Sequence, residues 1–147
     1  MSTATITPTG AVFADAGART VTGRIIEYDV RGVGSMTATF SAQSLVLPQD
    51  VTRVKLYRDH RNQYGMGTPV GWMTKVDNRP DGAYATFQIG VGPDGDQALH
   101  DAQGVRDGFS VEVKDVQVSS DRVTVTRALL DGVALVPAPA FAEARVQ

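Results

Sequence analysis

Cysteine is absent from the 147 residues, which removes disulfides, thiolate nucleophiles and cysteine-ligated zinc or iron–sulfur sites together. The same absence fits a cytosolic setting. Histidine is scarce: His60 and His100 are the whole supply, with no His-Glu-x-x-His spacing between them, so a histidine-based metal centre has no support. No sign of charge dominates. With 14 basic and 16 acidic residues and a formal charge of −2, there is no electrostatic footprint for nucleic acid. No apolar run approaches the roughly 18 residues of a membrane span. Met1 to Gly10 lacks the basic-then-apolar order of a secretory signal. There is no Gly-x-Ser-x-Gly elbow, no lysine-bearing phosphate loop, no internal repeat and no interdomain linker.

What is present suffices for a core: 42% hydrophobic and 20% charged residues are ordinary globular values. One domain over 20–147 is expected, preceded by a loose Thr/Ser/Pro-bearing arm over 1–19. Strands are expected at Thr20–Asp29, with Gly23 marking a bulge or a close approach, at Met36–Phe40, and at Val51–Tyr57. Gly32 and Gly34 mark a turn, and Ser41 caps one helical turn over Ala42–Leu45. Pro69–Val76 and Ala83–Gly90 form a hairpin around Asn78-Arg79-Pro80-Asp81-Gly82. A helix follows over Gly92–Gln103, then strands at Asp107–Val118 and Arg122–Ala128, and a buried run from Val133 to Val136. The expected fold is a small, mainly β, antiparallel barrel of about seven strands with one or two short helices.

Within that frame, Asp107-Gly108-Phe109-Ser110-Val111-Glu112-Val113 alternates apolar and polar residues, placing the Ser110 hydroxyl on a strand's polar face just after a glycine. Val54-Lys55-Leu56-Tyr57 runs into Arg58-Asp59-His60. A serine hydroxyl is a poor nucleophile until an adjacent base takes its proton, and neutral imidazole is the usual base near pH 7. Two strand-terminal positions can meet at one rim of a small barrel, so the spacing permits a Ser–His pair. It equally permits an ordinary surface serine and histidine. His100 rides the helix, with Ala98 and Leu99 turned to the core and its own ring on the solvated side.

The ordered set Gly23-Arg24-Ile25-Ile26-Glu27-Tyr28, Val54 to His60, Gly71-Trp72, Asp81-Gly82, Asp107 to Val111 and Val133 to Ala140 resembles the tailed-phage prohead (capsid maturation) proteases, relatives of the herpesvirus assemblins. The likeness spans Val21 to Val146. It implies a serine endopeptidase on an assemblin-like barrel, with histidine ahead of serine in the chain. His60 is then the general base and Ser110 the acylated nucleophile. The family's third member immediately precedes the Val-x-Leu-Val run, and here that position is Gly132. Asp131 is the tentative third member if a bulge re-aims it; otherwise the site is a Ser–His pair with a weaker orienting group. Arg122 and Arg127 are the basic residues nearest the region that assists the oxyanion in the viral relatives. The resemblance further implies no cofactor, no nucleic acid and no membrane. Its substrates would be phage scaffold and major capsid protein, cut inside the procapsid in the host cytoplasm, and it leaves room for a homo-oligomer. Gly132 admits a rival from another class: a weak or inactive capsid-assembly protein that keeps the fold to bind scaffold.

Overall fold

The computed structural model describes residues 14–30 and 38–137. The expected arm as far as residue 13, the Gly32–Gly34 turn, the start of the Met36–Phe40 strand and residues 138–147 lie outside them. In chain order the elements are β1 (Ala14–Asp15), β2 (Thr20–Glu27), β3 (Thr39–Phe40), β4 (Leu45–Val46), a 3₁₀ turn (Val51–Arg53), β5 (Lys55–Tyr57), β6 (Pro69–Arg79), β7 (Gly82–Ile89), α1 (Pro93–Asp101), β8 (Gly108–Val118) and β9 (Thr124–Val136).

The molecule is mainly β, as the alternation in its sequence requires. The β6–β7 hairpin turns at Pro80–Asp81, and α1 opens on Pro93 with Asp94 and Asp96 in its first turn. Local chemistry shortens other elements. Asp50 caps the 3₁₀ turn by accepting from the Thr52 backbone N–H at 3.1 Å and its hydroxyl at 2.6 Å, so the strand before His60 is only Lys55–Tyr57. No helical turn follows Ser41. Gln43 adopts a left-handed φ of 63°, and the chain goes directly into β4. Gly23 pairs regularly with Ala85, and the β2 irregularity falls at Ile25 instead.

Two expectations are corrected. The sheet is mixed, because β3, β4 and β5 run parallel to β9 and dock in succession along one of its edges. The long β9, 13 residues, makes this possible: it offers one short strand after another a place to pair. Its opposite edge carries β8, antiparallel, and among the described residues the nine-stranded sheet does not close into a barrel. β2 comes into contact with β8, but no ladder between them is present among the described residues. The inner faces enclose one core in which Phe87 and Phe109 sit with ring centroids 5.5 Å apart, beside buried Ile25, Ile26, Leu56, Met73 and Leu135. Ala98, Leu99 and Ala102 anchor the helical segment, with α1 lying against β6 and β7.

For function, the essential result is the register at β9. Tyr57 of β5 and Ser110 of β8 both pair with Ala134, while Lys55 and Glu112 both pair with Gly132. Directly paired residues share a sheet face. Ser110, Ala134 and Tyr57 therefore form one row on the face turned away from Phe109 and Val111, and Glu112, Gly132 and Lys55 form the next.

Candidate active site

The segment after β5 folds back over those two rows. Its path is set at Asp59, whose φ of 94° is one that a residue with a Cβ rarely adopts. Asp59 N–H donates to Leu135 O at 3.2 Å, tying the chain to β9 one residue before His60. His60 follows, with its side chain 45% exposed, at the edge of a cleft of about 520 Å³. Asn62, Gly65, Glu112 and Asp131 also line this cleft.

His60 meets Glu112. The ring Nδ1 lies 2.9 Å from Glu112 Oε2. The same oxygen accepts from the Arg61 backbone N–H at 3.0 Å, and Oε1 accepts from Arg61 Nε at 2.6 Å. Burial by itself would push the Glu112 carboxyl up. The hydrogen bonds from His60 and Arg61 outweigh it and hold the group at about 2, well below the ordinary 4.5. An ionised carboxylate can only accept, so Nδ1 must carry the proton of this bond. In the neutral ring, Nε2 is then the atom with the free lone pair, which is the form a general base requires.

Arg61 completes the arrangement. Its guanidinium lies 4.7 Å from the Tyr57 ring centroid, and its Nη2 donates to Asp131 Oδ2 at 2.8 Å. Burial acts to lower the Arg61 pKa, but hydrogen bonds to Asp131 and Glu112 raise it above its already high value. The space for this guanidinium exists because residue 132 is glycine. A Cβ there would stand 3.1 Å from Arg61 Nη2, from Glu112 Oε1 and from Tyr57 Cε2. The position at which the resemblance leads one to expect an acid is thus the floor of a carboxylate–guanidinium cluster, and the carboxylate comes from the neighbouring strand.

The structure places the residues singled out from the sequence as follows. Ser110 is on β8, 7% exposed, two positions before Glu112 and on the same face. His60 contacts that face through Glu112, and among the described residues no hydrogen bond joins it to Ser110, which does not line the cleft. Asp131 is the extra residue of a β9 bulge, since Glu112 pairs with Gly132 and Val113 with Leu130. The bulge turns the Asp131 carboxylate toward Arg61 and toward Lys114 Nζ at 3.3 Å, so it reaches His60 only through Arg61 and Glu112. Burial raises the Asp131 pKa, and its two cationic partners bring it below normal. Arg127 pairs with Gln117, seven residues along β9 from Ala134, or about 23 Å at the usual rise. Arg122 lies in the turn beyond it, so neither arginine belongs to this cluster. His100 is exposed on α1.

Sequence reasoning missed Glu112 and Arg61. Glu112 had one available signal, the two-residue spacing that puts it beside Ser110 on a strand face. Arg61 had none beyond standing next to His60. A second cleft, of about 380 Å³ between Pro69–Trp72 and Gly90–Gly95, contains no serine or histidine. Comparison of the chain with models of known protein families and with curated proteins finds no match.

Proposed function

We propose that this protein is a serine endopeptidase of the prohead type, cutting scaffold and major capsid protein during maturation of a phage procapsid. The observation that carries this reading is the 2.9 Å contact between His60 Nδ1 and Glu112 Oε2, two residues along the strand from Ser110. A nucleophile-bearing strand, an imidazole in the tautomer of a base and a carboxylate to orient it are the parts that acyl transfer needs. The sheet, rolled until β2 touches β8, is read as an opened version of the barrel that the resemblance implies.

In this reading Ser110 Oγ attacks the scissile carbonyl as His60 Nε2 takes its proton. Glu112 stabilises the resulting imidazolium, which returns the proton to the leaving amine as the C–N bond breaks. Water, deprotonated by the same imidazole, then hydrolyses the acyl-enzyme and restores the serine hydroxyl. Backbone N–H groups are the economical donors for the oxyanion, because they need no reorganisation as charge develops. Asp131 serves at one remove, holding the guanidinium that holds Glu112. In this reading Glu112 of β8 fills the orienting role that Gly132 leaves open.

Reaction with a serine-directed phosphonate, followed by mass measurement, tests the assignment. The parent should gain one adduct on Ser110, Ser110→Ala none, and His60→Ala almost none, while His100→Ala labels like the parent. Cleavage of scaffold or coat protein should follow the same order. Labelling or cleavage that survives Ser110→Ala overturns the reading. An unreactive parent that still binds scaffold would point to the assembly role instead.

A further inference from the structure

A buried carboxylate lies outside this chemistry. Asp101, the last residue of α1, is 2% exposed. Its Oδ1 accepts from Gln97 Nε2 at 2.9 Å, and its Oδ2 accepts from Arg58 Nε at 3.1 Å and lies 3.6 Å from Arg106 Nε. Its backbone carbonyl accepts from Val105 N–H at 2.8 Å and Arg106 N–H at 2.7 Å, turning the chain off the helix toward β8. Arg106 Nη1 continues to Asp59 Oδ2 at 2.7 Å. One carboxylate therefore gathers a cation two residues before His60 and a cation four residues before Ser110. The second cation grips the strained residue that immediately precedes His60.

We propose that Asp101 is a positioning residue for the site described above, clamping through Arg58 and Arg106 the two segments that carry His60 and Ser110. This rests on the serine-protease reading for its meaning in catalysis, though the clamp itself is geometric. Asp59 holds a φ of 94° only because its surroundings impose it, here the Leu135 carbonyl on its N–H and Arg106 on its carboxylate. Without Asp101, Arg58 and Arg106 face one another with no shared anion. Arg106 then gives up its position, and Asp59 can relax toward ordinary backbone angles. His60 moves with it and loses register with Glu112. Asp101 touches neither substrate nor imidazole in this scheme.

With only two histidines, the imidazole nitrogens are readily resolved by two-bond ¹H–¹⁵N correlation above neutral pH, His60→Ala supplying the assignment. The parent should show His60 as the Nδ1–H tautomer. Asp101→Asn should average His60 toward the mixture of an unrestrained ring and slow phosphonate labelling of Ser110 at least tenfold, with the β-sheet circular dichroism retained. Arg106→Gln removes the link to Asp59 while leaving Asp101 paired with Arg58, and it should produce the same two changes if Asp101→Asn does not fold. Folded variants that keep the parent's His60 tautomer overturn the clamp. A parent that shows the tautomer but takes no label overturns the protease reading and leaves the clamp to be decided by the nitrogen shifts alone.

Discussion

At the scale of residues, the cluster stands on Glu112, whose two oxygens serve an imidazole and a guanidinium at once. Glu112→Gln presents the ring with an amide that can donate or accept, so the His60 tautomer is no longer enforced. In the protease reading, turnover of a scaffold-derived peptide should then fall, by as much as about 10⁴-fold where an orienting acid is essential. Asp131→Asn acts one contact further out and should cost less under the same assay; a larger loss than that of Glu112→Gln would move the orienting role to Asp131. Gly132→Ala probes the floor. Its methyl meets three atoms at 3.1 Å, one on each of Arg61, Glu112 and Tyr57, and the crowding should destabilise the fold by about 1–3 kcal/mol in denaturant titration. In the protease reading, Gly132→Glu adds a second carboxylate to the same space and should slow the reaction.

At the scale of elements, close backbone approaches set the positions of strand and helix. Gly95 sits in the first turn of α1, where Gly→Ala would ordinarily help by up to about 1 kcal/mol. Here the added Cβ would stand 1.9 Å from Gly90 O, a carbonyl that cannot step aside because it accepts from Arg19 Nη2. Gly95→Ala should therefore destabilise the protein by about 1–3 kcal/mol, read as a lower denaturant midpoint at unchanged slope. Periodicity finds most of these elements because strands and helices state their period locally. It does not find the 3₁₀ turn at Val51–Arg53, which depends on the Asp50 side chain, or the left-handed Gln43, which depends on the docking of β4.

For the whole molecule, the carboxylates of the cluster make stability depend on acid. Burial favours protonated Glu112, but its His60 and Arg61 hydrogen bonds hold it at about 2 against 4.5 for a free carboxyl. Between those values the unfolded chain binds the proton that the folded chain refuses, so folding weakens as pH falls. The contribution is full above about pH 4.5 and gone by about pH 2. It amounts to up to about 3 kcal/mol at 1.36 kcal/mol per unit. Asp131 and Asp101, opposed by burial but lowered by their cationic and hydrogen-bonding partners, act in the same direction. Urea midpoints measured across this range should drop steeply for the parent and more gently for Glu112→Gln. Parallel curves would mean that Glu112 is not held in the ionised form.

Composition and period alone determined the mainly β class, the β6–β7 hairpin, the helix α1 and the candidacy of His60 and Ser110, because each is written within a few neighbouring residues. The carboxylate that meets His60 was decided only in three dimensions. It depends on β5 and β8 meeting opposite edges of β9, which sets Lys55 and Glu112 on either side of Gly132. It depends also on the bulge that turns Asp131 toward Arg61, and on the strained Asp59 that folds His60 back over the sheet. The His60–Glu112 contact joins residues 52 apart in the chain, and the β5 pairing behind it sets Lys55 against Gly132. Period-two alternation names the face of a strand but never its partner.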